Sequence, residues 1–276
     1  VALMLSAVFC FALLDATSKH LSQTFNVPLL VWARYSVHLL LMLILFGPSR
    51  RLRLIATARP IAQIARALLL VGVTGFAMAA FRVMPLAETT ALLFITPLIV
   101  ALLAGPMLGE HVGSRRWLAA LAGFGGTLLI VRPSGDLPAD GIVFAMLAAL
   151  CYSFYHVQTR RLASTEQPLT MVFYTALVGT VTMSLALPWN WYGPMPSVGQ
   201  AVMIVSLALY GGLGHYLLTH AFRHATASRL APFLYAQLIW ATLLGGLWHE
   251  QWPDLISIAG MTVIVGCGIF AAMAKD

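Results

Sequence analysis

Residues 91–110, ALLFITPLIVALLAGPMLGE, return in outline as residues 231–250, APFLYAQLIWATLLGGLWHE. At a shift of 140, Ala91, Leu98, Ile99, Leu103, Gly105 and Glu110 recur as Ala231, Leu238, Ile239, Leu243, Gly245 and Glu250, and Gly126 recurs as Gly266. At a shift of 141, Phe81-Arg82 answers Phe222-Arg223, and CFALLDATSKHL (10–21) faces CYSFYHVQTRRL (151–162). Apolar sequence of low complexity matches itself by chance. The Glu that closes each copy and the Phe-Arg pair that precedes it are harder to obtain that way. The chain reads as an internal duplication.

The duplicated unit is too greasy for water. Hydrophobic residues make up 60% of the chain and charged residues only 9%, against about 25% charged in a soluble domain. A surface in water needs polar atoms that this sequence does not have, so lipid is the expected solvent for most of its outside. Apolar runs long enough to span fall at about 1–22, 28–46, 61–83, 86–107, 115–131, 140–163, 168–187, 198–220, 229–249 and 255–274. Breakers separate them, among them Gly47-Pro48-Ser49, Arg59-Pro60, Pro133-Ser134-Gly135 and Gly193-Pro194-Met195-Pro196. The expectation is an all-α polytopic membrane protein of ten transmembrane helices. It divides into a first repeat over 1–132, a linker loop over 133–139 and a second repeat over 140–276. The first run lacks a basic flank and a cleavage site, so no cleavable signal peptide is expected.

Each repeat holds five spans, an odd number, so the second must enter the membrane from the opposite side. Such inverted repeats place a shared site where the halves meet, and rocking one half on the other exposes it to each side in turn. Arg and Lys positions set the direction. Arg50, Arg51, Arg53 and Arg59, with Arg66 just inside span 3, fall on one side together with Arg115, Arg116, Arg160, Arg161, Arg223, Arg229 and Lys275. The other side has Lys19, Arg82 and Arg132. Both termini are therefore expected in the cytoplasm, and Trp189-Asn190-Trp191-Tyr192 reads as an anchor at the outer interface. This distribution accounts for the net charge of +7 without a nucleic-acid partner.

Four stretches carry a family resemblance. FRVMPLAETTALLFITPLIVALLAGPMLGE (81–110), RRWLAALAGFGGTLLIVRP (115–133), ALLDATSKHL (12–21) and VWARYSVHLL (31–40) together resemble the drug/metabolite transporter superfamily in its ten-helix EamA branch. They are nearest the sub-branch with riboflavin-type and S-adenosylmethionine-type uptake carriers. The second half departs from the pattern: Gln237 stands where the repeat predicts a match to Pro97, and His249-Glu250 replaces Gly109-Glu110. The resemblance implies a secondary carrier of the bacterial inner membrane, for import or export, with no nucleotide-hydrolysing part. The absence of a GxxxxGK[ST] loop agrees with this.

Ionisable groups within a span cost about 2.5–3.5 kcal/mol each to insert, so each needs a reason. Asp15 lies two-thirds along span 1, Lys19 follows at i+4, and Arg34 sits about two turns into span 2 from the same outer side; Arg82 and Glu88 flank the short turn between spans 3 and 4. One reading makes Asp15, Lys19 and Arg34 a closed ion-pair cluster. The other makes them the lining of a pathway, where Lys19, Arg34 and Arg82 would favour a carboxylate or phosphate on the solute. His38 continues the Arg34 face at i+4. Span 6 presents Tyr152, Tyr155, His156 and Thr159 at helical spacing, for solute contact or for bonds between helices. Thr90, Phe94 and Pro97 share a face of span 4. Pro97, assigned to gating or kinking, frees the carbonyl of Leu93, which then needs a partner or a wet cavity. The corresponding face of span 9 has Leu234 and Gln237, with Tyr235 and Trp240 nearby. Span 8 places Tyr210, His215 and Tyr216 beside Gly211, Gly212 and Gly214.

Other features read as structural. Gly123, Gly126, Gly260, Gly266 and Gly268 suit close helix packing, and Glu110 and Glu250 suit capping or bracing. Cys10, Cys151 and Cys267 lie in apolar runs without metal spacing. His220 and His224 form an i, i+4 pair without an acidic or Cys partner. No cofactor, metal or catalytic residue is expected, and neither HExxH nor GxSxG occurs. The function expected is alternating-access transport of a small organic metabolite, amino-acid-like or vitamin- or nucleoside-like, with an anionic group. A solute channel and a membrane-embedded enzyme are the alternatives. A coupling proton through Asp15 or His156 stays open, as does the choice between monomer and homodimer.

Overall fold

The computed structural model describes residues 2–96, 99–100, 103, 107, 113–131, 137–163, 165–190, 194–224 and 233–273. Among these there is no strand. The helices are α1 (Ala2–Ser22), α2 (Val27–Ile55), α3 (Pro60–Val83), α4 (Leu86–Leu93), α5 (Ser114–Val131), α6 (Ala139–Ala163), α7 (Pro168–Asn190), α8 (Val198–His224), α9 (Ala236–His249) and α10 (Leu255–Met273). Six of them contain a stretch long and apolar enough to cross a membrane, and α5 and α10 contain shorter apolar stretches. The protein is an all-α membrane protein with ten transmembrane helices in two inverted five-helix repeats.

The outside is apolar. On α8, Val202, Val205, Leu209, Leu213 and Tyr216 form an exposed stripe at helical spacing, and Leu40, Leu43, Ile44 and Leu45 do the same on α2. Small residues are turned inward: Ala7, Ala12 and Ala16 on α1 and Ala145, Ala148 and Ala149 on α6 are fully buried. Small side chains let helix backbones approach where no hydrophobic effect drives them together. At the crossing of α5 and α10 the approach is backbone on backbone. A Cβ on Gly260 would lie 2.6 Å from the Gly126 carbonyl oxygen, and one on Gly126 2.8 Å from that of Gly260. Gly266, by contrast, has no described residue within 4 Å of its Cβ position, so the close packing expected there is not seen among the described residues.

Helix pairing follows the duplication. The α3–α6 and α1–α8 packings are equivalents when the halves are exchanged; so are α3–α7 and α2–α8, and α1–α9 and α4–α6. The α2–α7, α4–α9 and α5–α10 pairs each join an element to its own repeat partner. Contacts at the helix ends fix the inversion. At the basic end, Tyr174 Oη donates to the Ile55 carbonyl at 3.0 Å, and Ala58 N–H donates to Glu166 Oε1 at 3.1 Å. Arg161 donates to the Met107 carbonyl at the same end. At the opposite end, Lys19 Nζ donates to the carbonyls of Phe81 and Met84 at 2.9 and 2.6 Å. Met84 also packs where a Cβ on Gly141 would sit. The end of α1 and the start of α6 thus lie together, so the two helices run in opposite directions.

Two boundaries differ from the sequence expectation. Gly47-Pro48-Ser49 does not end α2, which stays helical to Ile55. The apolar stretch does end at Phe46, and beyond it one lost proline bond is tolerable because water can take up the freed carbonyl. Span 4 is not one continuous helix: α4 stops at Leu93, and Phe94 and Ile95 form a turn. In the second half Phe233 and Leu234 are helical, Tyr235 is a turn residue and α9 begins at Ala236. Ile95 and Tyr235 are repeat equivalents, so both halves break their fourth helix at the same place.

Candidate functional site

The break in the first half has its own hydrogen bonds. Thr96 Oγ1 donates to the Leu93 carbonyl at 2.7 Å, the acceptor that a proline at position 97 leaves without its helical donor. Across the break, Ser153 Oγ donates to the Thr96 carbonyl at 3.4 Å. Pro97 itself lies outside the described residues. The two breaks meet: the rings of Phe94 and Tyr235 stack at 4.9 Å between centroids.

Beside this junction, Gln237 Nε2 donates to Asp15 Oδ2 at 2.9 Å. The bond ties α1 of the first half to the first turn of α9 in the second. It also holds a carboxylate near the N-terminal end of α9, where unpaired N–H groups and the helix dipole favour negative charge. Asp15 is half-buried.

From α2, Arg34 Nη1 donates to Thr74 Oγ1 at 3.3 Å, and its guanidinium lies 5.7 Å from the Tyr35 ring. The glycines of α8 make room for this face. A Cβ on Gly211 would be 3.1 Å from Arg34 Nη2, and one on Gly212 would be 3.6 Å from His38 Nε2. Tyr35 hydroxyl donates to the Leu70 carbonyl at 3.0 Å and shares a 2.9 Å bond with Thr74. Arg34 is within Coulomb range of Asp15, Tyr152 and His215, but among the described residues no carboxylate pairs with it.

α6 closes the far wall with rings. Tyr152 stacks on Tyr155 at 6.0 Å and tilts against His156 at 4.3 Å. His156 is exposed. Behind Tyr155 lies Arg66 of α3, 2% exposed. Its Nη1 donates to Tyr155 Oη at 3.0 Å, and its Nη2 donates to Thr175 Oγ1 at 2.8 Å and to the Met171 carbonyl. The guanidinium sits 5.1 Å from the Tyr155 ring centroid.

The structure therefore brings Asp15, Arg34, His38, Tyr152, Tyr155, His156 and Gln237 to one interior. His215, edge-on to Phe11 at 5.0 Å, joins them. Other sequence candidates lie elsewhere. Lys19 does not pair with Asp15: it reaches across to two carbonyls at the α3–α4 turn and braces that turn. Arg82 is exposed, and its carbonyl accepts from Gln23 Nε2 at 2.9 Å. Thr90 Oγ1 donates to its own helix at Leu86, 2.8 Å away, and its side chain is buried. Trp240 meets Phe9 edge-on at 4.8 Å, on the outer face of α1. Tyr210 is half-buried against the Leu14, Leu30 and Leu207 cluster. Tyr235 faces α10, its ring filling the space over Gly268. Side chains of His220 and His224 lie outside the description. Glu250 ends α9 in the left-handed region, φ 56°, with its N–H on the Gly245 carbonyl.

Arg66 is the residue that sequence reasoning misplaced. Counted as an interfacial charge, it is one of the largest fully buried side chains. The signal was present: Gln63, Arg66 and Thr74 are polar at i, i+3 and i+11, one stripe of an otherwise apolar helix.

Residues 1–132, and again 139–273, match the EamA-like transporter family. The chain is 29% identical over 270 residues to a riboflavin transporter of Vibrio cholerae, spanning 95% of this chain and 89% of that protein. It is 25% identical over 260 residues to an S-adenosylmethionine uptake transporter of Rickettsia bellii (93% and 87% covered). It is 27% identical over 274 residues to a pseudopaline exporter of Pseudomonas aeruginosa (97% and 94% covered). A solved crystal structure superposes with a TM-score of 0.67 over 96% of both chains at 20% identity, which concerns the fold alone. With both halves matched in turn, the chain belongs to the EamA-like transporter family.

Proposed function

We propose that the protein is a secondary carrier that moves a small organic metabolite bearing an anionic group by alternating access, through the interior between α1, α2, α6 and α8. The observation that carries this reading is the charge balance there. Half-buried Arg34 and buried Arg66 are two guanidinium groups beside three histidines, and among the described residues Asp15 is the one carboxylate that faces them, so positive charge is in surplus. Surplus positive charge is costly in a protein surrounded by lipid, and a solute anion offsets that cost while it is bound. Stacked Tyr152, Tyr155 and His156 supply flat apolar surface with polar edges, which suits a ring or conjugated portion. Relatives named for uptake and for export leave the direction open.

Alternating access needs two bodies and a weak seam. The division into 1–132 and 140–276 through a linker at 133–139 supplies the bodies. The seam is the stacked break of α4 and α9, with the Asp15–Gln237 bond beside it. The basic end is assigned to the cytoplasm, which puts both termini inside at the bacterial inner membrane. A proton on Asp15 would loosen its bond to Gln237 and so couple to rocking; accumulation that ignores an imposed pH gradient would remove that step.

Counterflow in proteoliposomes, with solutes first screened by thermal shift, tests the carrier. Arg34→Ala should lower transport efficiency by about 10–100-fold, the loss of one charged hydrogen bond to substrate, with a thermal midpoint close to that of the parent. Unchanged kinetics would sink the anion-binding role. Unsaturable flux without counterflow would favour a channel.

A further inference from the structure

The polar interior does not stop at Arg66. Among the described residues, its Nε has no hydrogen-bond partner. Gln63, one turn nearer the basic end of α3, is 0% exposed, and neither its Oε1 nor its Nε2 has a partner among them. On α6, the Oγ1 of Thr159 is buried and likewise has none among them.

Helix register places these residues at neighbouring levels. The helices α3 and α6 run antiparallel, with Gly72 against Cys151 and Arg66 bonded to Tyr155. Three residues down α3 and four along α6 bring Gln63 opposite Thr159, about 4.5–6 Å nearer the basic end. A buried polar atom without a partner costs about 1–3 kcal/mol, and native proteins hold few. Four of them on facing stretches of two helices are groups that this closed packing leaves unsatisfied and that a solute anion would satisfy once the halves rock apart.

The occupant's chemistry follows from the groups. They offer a guanidinium N–H, an amide and a hydroxyl, and among the described residues no carboxylate is bonded there. Glu166, the acidic group that precedes α7, is engaged by Ala58 N–H. Building on the carrier reading above, we propose that Arg66, Gln63 and Thr159 form a second anion seat on the way to the basic end. The solute's carboxylate or phosphate docks there after leaving Arg34. Thr74, the partner of Arg34, stands eight residues after Arg66 on α3, about 12 Å away, and Tyr35 lies between. At the same end of the molecule lies a cleft lined by Ala56, Thr57, Ala58, Thr165, Glu166 and Gln167, with the Glu166 carboxylate occupied by Ala58 N–H.

Gln63→Leu and Thr159→Val break no protein hydrogen bond, so both should fold with midpoints equal to or above the parent. The full chain carrying Arg34→Ala isolates the inner seat. Its unfolding midpoint should rise by about 2–4 °C as sodium acetate replaces sodium chloride at constant ionic strength. Adding Gln63→Leu or Thr159→Val should raise the half-saturating acetate about tenfold. If acetate moves the parent but not Arg34→Ala, the inner seat is wrong and the central one stands. If acetate moves Arg34→Ala equally with and without Gln63→Leu and Thr159→Val, acetate binds elsewhere and the inner seat is again wrong. If it moves neither the parent nor Arg34→Ala, the inner seat falls, and counterflow judges the carrier by itself. Should Arg34→Ala fail to fold, Gln63→Leu and Thr159→Val in the parent chain give the same comparison.

Discussion

Tyr155 shows how much one side chain carries in this interior. Its hydroxyl accepts from Arg66, its ring lies beside the same guanidinium, and its other neighbours are Tyr152 and His156. Tyr155→Phe keeps the ring and removes the acceptor, leaving a buried charged donor unpaired. The expected result is a loss of about 1.5–3 kcal/mol, measured as a lower thermal midpoint in detergent. Arg34 is different. Its one bond among the described residues, to Thr74, is long at 3.3 Å, so its removal should register in transport before it registers in stability. Lys19 shows the limit of spacing rules: i+4 brings two residues to one helix face, but two carbonyls freed at the end of α3 outcompeted Asp15 for its ammonium group.

At the scale of the element, the fourth helix of each repeat is the informative one. Thr96 caps the Leu93 carbonyl inside the protein, so Thr96→Val should cost about 1–3 kcal/mol and should not change the span count. A midpoint equal to the parent would mean that water serves this carbonyl instead. α9 breaks at the equivalent position with Gln237 in place of proline, so the break belongs to the packing of α4 against α9 and not to proline alone. The α5–α10 crossing makes a second test. Gly260→Val drives a side chain into the Gly126 carbonyl and should destabilise by about 1–3 kcal/mol. Gly266→Ala meets open space, and its gain in helix propensity is up to about 1 kcal/mol. Comparing the two midpoints checks that glycine matters by position here and not by count.

The whole molecule is defined by its two ends. Residues 55–58 and 166–174 bond to one another, although more than a hundred positions separate them. Two antiparallel sets of five helices bring them to one face. Single cysteines at Ala58 and Glu166, in a chain with Cys10, Cys151 and Cys267 replaced, should react with an impermeant maleimide from the same side. Cysteines at Met195 and Trp252, both exposed in loops, should react from the other. Labelling of 58 and 166 from opposite sides would dismantle the inverted arrangement and the carrier mechanism with it.

Sequence by itself determined the solvent, the number of helices and the duplication. Hydropathy, breakers and recurring positions are local quantities, and a chain in lipid must satisfy its backbone within each helix. That constraint is why boundaries such as 60–83 and 139–163 sat so close to expectation. Only the tertiary structure decided which polar residues meet. Asp15 finding Gln237, Lys19 finding the α3–α4 turn and Arg66 finding Tyr155 each depend on how helices distant in sequence are rotated about their axes. That rotation is set by where small residues let backbones approach, as Gly211 and Gly212 do for Arg34 and His38. Such a fit belongs to pairs of surfaces, and no single span contains it.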